Sequence, residues 1–268
     1  MSDQLSSLPL SRTCLITGGA SGIGAATARL LATQRFRVIV SDIDFPIGTR
    51  EEFARQQIET VLCDVTRESD VAAWIEGAAR ATGRIDCLVH SAGVGLVKPI
   101  TDVSEAEWDR VLDVNLKGAF LCAKHAIPHL RRAGGGSLVN IASNAGLLPR
   151  FHDPVYSISK WAVVALTKTL ALCHAPEKIR VNAVCPGPVG DTRMMDADLA
   201  SAADRERAFR DRLAASPIAH GLGRMIRPDE VAESVAYLVS DAAVFVTGCC
   251  LTIDGGKSLG VPPTLFGD

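Results

Sequence analysis

The sequence predicts an α/β fold, doubly wound, in which a seven-stranded mainly parallel sheet carries helices on both faces. Three observations predict it. Short runs rich in β-branched and apolar residues recur near 13–17, 37–41, 60–63, 87–90, 137–141, 180–184 and 250–253. Helical patterns fill most of the intervals between them. No Pro/Ser-rich linker or charge run divides the 268 residues, so one domain spanning 1–268 is expected. Alternation of this kind implies parallel strands joined by right-handed crossovers.

The first run, Cys14-Leu15-Ile16, leads directly into Thr17-Gly18-Gly19-Ala20-Ser21-Gly22-Ile23-Gly24. Glycines at 18, 22 and 24 let the backbone turn sharply, approach an anion and pack the next helix on the strand. The free N–H groups of that helix then face a phosphate. Gly18, Ser21, Gly22, Ile23 and Gly24 are therefore candidate contacts to a dinucleotide diphosphate, and the fold is expected to be Rossmann-like. The second run, Arg37-Val38-Ile39-Val40-Ser41, ends at Asp42. A carboxylate there accepts from ribose hydroxyls and repels a 2′-phosphate, which favours NAD. Arg35 and Arg37 keep NADP open, but they stand at the start of the strand.

Further along, Ser104-Glu105-Ala106-Glu107 has the form of a capping box opening the longest helix, which carries Asn115 inward and runs to about Leu130. Gly134-Gly135-Gly136 ends that helix and so is a connector, not a second phosphate loop. A strand through Val139-Asn140-Ile141-Ala142 delivers Ser143, and another helix starts near Tyr156 and continues to about Leu172. Residues about 191–216 interrupt the rhythm with Met194-Met195, alternating charges and Phe209. A substrate lid is expected there, with a solvated surface helix pair as the alternative.

Composition excludes several classes. A formal net charge of -2, with no dense basic stripe, argues against nucleic-acid binding. No run approaches the ~20 apolar residues that cross a bilayer, and no leader pattern opens the chain, so a cytoplasmic protein with no membrane partner is expected. The eight cysteines are scattered without a Cys-x-x-Cys pair and read as reduced, buried small hydrophobes. His125 and His129 lie four apart, yet Pro128 intervenes and no third ligand is apparent. They read as helix-end residues, and no metal is expected.

The spacing Gly-x-x-x-Gly-x-Gly does not stand alone. Ser143, the run Tyr156-Ser157-Ile158-Ser159-Lys160, Asn115-Leu116-Lys117-Gly118, Pro186-Gly187, Thr247-Gly248 and Asp254-Gly255-Gly256 accompany it. Together they resemble the short-chain dehydrogenase/reductase family over about residues 11 to 257. The resemblance implies an NAD-dependent oxidoreductase that interconverts a small-molecule secondary alcohol and a ketone by hydride transfer. Tyr156 would be the general acid/base, Ser143 would hold the substrate oxygen, and Lys160 would bind the nicotinamide ribose. Asn115 would anchor a water-linked proton path. It also implies cofactor contacts at Asp64, Val65, Ser91, Ala92, Gly93, Pro186, Gly187, Val189 and Thr192, and a homo-oligomer, tetramer or dimer. Asp64 has helix capping as its alternative role.

The chemistry asks much of the tyrosine. Lowering a pKa of ~10 by three units takes about 4 kcal/mol, which one cation at about 4 Å supplies at an effective dielectric of ~20. Lys160, four residues on and on the same helix face, is the expected source. Val94, Leu148, Phe151 and Met194 are candidate substrate walls, with Leu147 and Val189 beside them, while Asn144, His152 and Asp153 add polarity. Two departures stand out. His90-Ser91-Ala92-Gly93 replaces the family's Asn-Asn-Ala-Gly, and Thr192 follows Pro186-Gly187 one residue late. The competing readings are an NADP-preferring carbonyl or 3-oxoacyl reductase and a non-catalytic dinucleotide-sensing protein.

Overall fold

Alternating side chains of parallel strands sort the core into two layers, one on each side of a single sheet. The computed structural model describes residues 12–150 and 152–260, so the wall residue Phe151 lies outside the described residues. The strands are β1 (Arg12–Thr17), β2 (Phe36–Asp42), β3 (Ile58–Leu62), β4 (Cys87–His90), β5 (Gly136–Ile141), β6 (Ile179–Pro186) and β7 (Cys250–Ile253). They form one seven-stranded sheet in the order β3-β2-β1-β4-β5-β6-β7, with every neighbouring pair parallel. Each of the runs read from the sequence is one of these strands.

The helices are α1 (Gly22–Thr33), α2 (Thr49–Arg55), α3 (Glu68–Thr82), α4 (Glu105–Leu112), α5 (Gly118–Arg132), α6 (Pro154–His174), α7 (Arg193–Ser201), α8 (Arg205–Ala214), α9 (Pro217–Leu222) and α10 (Pro228–Val239). Cys14, Ile16, Val38, Val40, Val89 and Val139 pack on one sheet face against Ala25, Ala28 and Leu31 of α1 and Val231 and Val235 of α10. On the other face Leu15, Ile39, Leu88 and Leu138 meet Trp74 and Ile75 of α3 and Leu121 and Leu130 of α5. Each fully buried Leu or Ile in these layers contributes ~1.5–3 kcal/mol.

Ser104 and Glu107 form the capping box, with the Glu107 N–H donating to Ser104 Oγ at 3.3 Å and the Ser104 N–H to Glu107 Oε2 at 2.9 Å. The helix they open differs from expectation in one respect. A π-helical turn, Asp113–Lys117, joins α4 to α5 and carries Asn115 at its centre. The wider turn re-aims side chains relative to an unbroken α-helix. α5 ends where the Gly135 N–H, at φ +132°, reaches the Leu130 carbonyl at 3.1 Å.

His125 and His129 face different partners, Glu68 at 3.1 Å and Glu76 at 2.9 Å. The 191–216 stretch holds α7 and α8, tied together by Arg212 and Asp198 at 2.6 Å, and α8 buries none of its residues.

Candidate active site

The chain runs outward from β1 through β2 to β3 and then returns to place β4 on the other side of β1. That reversal opens a crevice at the carboxyl ends of β1 and β4, where a ligand can reach backbone from both. The two flanking segments touch. A Cβ built on Gly18, whose φ is +63°, would lie 2.7 Å from the Ala92 amide nitrogen, so only glycine meets both demands. A Cβ on Gly24 would strike the Gly18 carbonyl oxygen. Ser21, the N-cap of α1, makes no side-chain cap bond, which leaves the first-turn N–H groups of Gly22, Ile23 and Gly24 open to an anion. The cradle therefore fits a dinucleotide diphosphate.

Asp42 stands at the end of β2 beside this loop, and it also braces it. Its Oδ2 accepts from the Ala20 N–H at 3.0 Å and its Oδ1 from the Ile43 N–H at 2.8 Å. Arg37 is held at the opposite end of the strand, donating to Glu59 Oε1 at 2.9 Å and to the Ala81 carbonyl at 3.1 Å. Asp64 braces its own turn by accepting from the Thr66 N–H at 2.9 Å and the Thr66 hydroxyl at 2.7 Å. Val65 is buried next to Gly118.

The unusual His90 is a core residue wired into β1. The Thr17 hydroxyl meets His90 Nδ1 at 3.1 Å while accepting the Ser91 and Ala92 N–H groups, each at 3.1 Å. One donor and two acceptor sites are the full capacity of a hydroxyl, so Thr17 by itself braces the segment after β4. Burial, then the nearby Lys160 charge, pushes the imidazole down to about 3, with the Asn115 backbone pulling weakly the other way. His90 is therefore neutral, and Nδ1 accepts from Thr17 with the ring proton on Nε2.

Asn115 is fully buried and clamps the loop that follows Gly93. Its Oδ1 accepts the Val94 N–H at 2.8 Å, and its Nδ2 donates to the Val94 carbonyl at 3.0 Å and to Ser159 Oγ at 2.9 Å. Ser159 in turn donates to the Tyr156 carbonyl at 2.7 Å. Lys160, one helical turn beyond Tyr156, donates to the Ile141 carbonyl at 2.9 Å and lies 5.7 Å from the Tyr156 ring centroid. A Cβ on Gly93 would touch both Asn115 Oδ1 and Lys160 Nζ, so the three residues converge. Ser143 is buried at the end of β5, with its Oγ accepting the Ala145 N–H at 3.1 Å.

The electrostatics differ from the sequence expectation. Burial raises the Tyr156 pKa, opposed by a hydrogen bond from Ser143 and by the Arg150 charge. Burial also lowers Lys160, to about 8. In the protein alone, desolvation thus outweighs the hydrogen bond from Ser143 and the Arg150 charge, and the Lys160 ammonium, itself taken out of water, lies over the tyrosine ring.

The remaining predicted contacts are distributed around this centre. Gly187 packs on Asp254, where a Cβ would come within 2.9 Å of the Asp254 Cα, and its N–H donates to the Ile253 carbonyl at 2.9 Å. It follows Pro186, the last residue of β6. Val189 is buried and bridges to Ile226. Asp191, directly before Thr192, turns the chain at φ +52°. Thr192 then caps α7 by accepting the Met195 N–H at 3.2 Å, and its methyl meets the space beside Gly22. Met194 packs on Gly95, next to Val94, and Leu148 closes the turn after Ser143 through its N–H to the Asn144 carbonyl at 3.2 Å. Thr17 and Ser159 were not predicted as site residues, since a single hydroxyl carries no spacing signal. Among the described residues no group of three His, Cys, Asp or Glu could hold a metal ion.

Comparison with known proteins agrees with this architecture. The short-chain alcohol dehydrogenase model described as enoyl-(acyl carrier protein) reductase matches residues 18–258. The chain is 41% identical over 251 residues to a cis-4-hydroxycyclohexanecarboxylate dehydrogenase of Sinomonas cyclohexanicum, covering 91% of this chain and 96% of that one. It is 41% identical over 257 residues to the 4-formylbenzenesulfonate dehydrogenase TsaC1/TsaC2 of Comamonas testosteroni, with 92% and 98% covered. The ligand-free aldohexose dehydrogenase of Thermoplasma acidophilum superposes with a TM-score of 0.85 at 34% identity, covering 96% of this chain and 98% of that one. The protein belongs to the short-chain dehydrogenase/reductase family, oxidoreductases that use a nicotinamide dinucleotide and act on CH–OH groups.

Proposed function

We propose that this protein is an NAD-dependent dehydrogenase interconverting a secondary alcohol and a ketone, with Tyr156 as general acid/base. The observation that carries the reading is the convergence of Asn115, Tyr156 and Lys160, with Ser143 acting on the Tyr156 hydroxyl, beside a glycine cradle that fits a dinucleotide. A nicotinamide dinucleotide held there by the glycine cradle and Lys160 would supply the hydride acceptor for alcohol oxidation. Ser143 Oγ orients the substrate oxygen, and the Tyr156 hydroxyl takes the alcohol proton during oxidation and returns it during reduction. Lys160 supplies positive charge behind the tyrosine and a donor for the ribose. Asn115 holds the loop bearing Val94 against this centre.

NAD is favoured by Asp42, whose carboxylate at the end of β2 would repel a 2′-phosphate brought to the adenosine ribose, and by the engagement of Arg37 at the far end of β2. The two curated relatives described above are named for acid-bearing ring compounds, and we extend ring-sized substrates to this chain. The α7–α8 pair would serve as a lid over the walls Val94, Leu148 and Met194. Exposed Phe120, Ile158, Trp161 and Leu172 on α5 and α6 suit pairing of copies into a homotetramer or dimer. The free cysteines suit a reducing cytoplasm, and no helix among the described residues is long and apolar enough to cross a membrane. Absorbance at the reduced-nicotinamide band, with a panel of ring alcohols and each cofactor, tests the reading. Turnover with NADP over NAD, or with neither, would overturn it.

A further inference from the structure

We propose that the substrate carries an anionic oxyacid group, a carboxylate or a sulfonate, held by a cationic subsite of Arg150, Arg212 and Lys257 at the mouth of the Tyr156 site. The proposal rests on the dehydrogenase reading and specifies its substrate class.

The cations come from three separate elements, the loop before α6, the second lid helix α8 and the 3-10 turn after β7. Ser216, just after α8, donates to the Asp254 carbonyl at 2.7 Å and so ties the last two together, and the Arg150 and Arg212 charges both reach Lys257. Their placement against the site is set by α6. Asp153 precedes Tyr156 by one helical turn, is 4% exposed, and is joined to Arg150 at 2.8 Å and to Ser157 Oγ at 3.3 Å. The Arg150 charge reaches Tyr156 itself. On the C-terminal side, Asp254 packs on Gly187, which ties the 257 turn to the segment that leads into Val189 and Thr192.

The carboxylates in this region are already engaged. Asp153 pairs with Arg150, Asp198 pairs with Arg212, and Asp254 accepts the Gly256 and Ser258 N–H groups at 3.0 and 2.8 Å. One cation and one further N–H donor are left over. The Lys257 ammonium makes no hydrogen bond or ion pair among the described residues although the residue is half-buried, and Arg150 Nε is buried without a partner. His152 Nε2 lies 3.0 Å from an Arg150 nitrogen and so borders the cluster.

The cations strain one another. Burial and the Arg150 and Arg212 charges press Lys257 down to about 8, against Asp153 and Asp254. His152 is lowered by burial and by Arg150, Arg212 and Lys257, with Asp153 opposing. A fixed anion bound among them would relieve this repulsion and satisfy the open donors at once, which a neutral hydroxyl cannot do. The neighbouring walls Val94, Leu148 and Met194 are apolar, so the acid group and the carbinol would be separated by a compact hydrocarbon body.

The experiment compares kcat/KM of the intact protein with NAD for 4-hydroxycyclohexanecarboxylate, its methyl ester and 4-hydroxycyclohexanesulfonate, in wild type and in Lys257→Met. Lys257 has no structural partner to lose, and Lys257→Arg serves as the charge-retaining control. We expect at least one acid to exceed the ester by about tenfold or more. That ratio should fall about tenfold in Lys257→Met and return in Lys257→Arg. KM for the preferred acid, but not for the ester, should rise as pH passes about 8 and Lys257 loses its proton. The preferred acid distinguishes carboxylate from sulfonate. Acids and ester turned over equally would overturn the subsite while leaving the dehydrogenase standing, and a preference unchanged by Lys257→Met would overturn its assignment to this cluster. Should no alcohol be oxidised, binding of cyclohexanecarboxylate and cyclohexanesulfonate, read as a rise in Tm, decides separately. A rise with either that Lys257→Met abolishes supports the subsite, and no rise with either overturns it.

Discussion

Replacing Lys160 with methionine removes a buried cation behind Tyr156. The ammonium lies 5.7 Å from the ring centroid, where at an effective dielectric of ~20 a unit charge stabilises the tyrosinate by about 3 kcal/mol, or about two pH units. Burial holds Lys160 near 8 and raises Tyr156, and an interaction of about two pH units between them makes the wild-type limb a property of both groups. Alcohol oxidation requires the proton-accepting form, so its rate should rise with pH through that limb. In Lys160→Met the limb should move up by about two units, and kcat/KM at pH 7 should fall about 100-fold or more from this effect. The assay is kcat/KM for oxidation from about pH 6 to 11, with NAD affinity measured separately. A fold effect would not imitate this result. The folded pKa of Lys160 lies below its unfolded value, so its buried charge costs stability at neutral pH, and this cost is shed as pH rises from about 8 towards 10.5. Removing the charge relieves about 3 kcal/mol, against ~1–3 kcal/mol for the Ile141 carbonyl left without its donor. The variant should therefore melt no lower than wild type. A limb that stays in place would refute the assignment of Lys160 as the group that tunes the base.

Other substitutions probe the remaining parts. Tyr156→Phe should lower kcat by about 10²- to 10⁴-fold with unchanged NAD affinity, and a smaller loss would remove Tyr156 from proton transfer. Asp42→Asn keeps an acceptor for the Ala20 N–H while deleting the charge, so the ratio of kcat/KM for NAD over NADP should narrow or reverse. An unaltered ratio would place cofactor discrimination elsewhere. His90→Asn addresses stability. Burial lowers the His90 pKa to about 3, so the unfolded chain binds a proton that the fold refuses between about pH 6.5 and 3, and stability falls with pH across that window. Between pH 7.5 and 5 the loss from this group is about 2 kcal/mol, and urea midpoints of His90→Asn should be less acid-sensitive by that amount.

Much of this protein was legible in the chain because its signals are local. Apolar runs of strand length, the glycines after β1, Asp42 at the end of β2 and the Ser104 capping box each depend on neighbours within a turn or a strand. The strands therefore appear where the pattern puts them. Tyr156 and Lys160 are four apart on one helix, so their proximity is also a local fact. What the tertiary structure alone decided involves residues far apart in sequence. Thr17 meets His90 across β1 and β4, the π turn aims Asn115 at Val94 and Ser159, and Arg150, Arg212 and Lys257 come from three elements. The sign of the Tyr156 shift belongs to the same class. Sequence spacing supplies the charge of Lys160, but desolvation depends on how much of the fold surrounds both groups, and no spacing rule measures that.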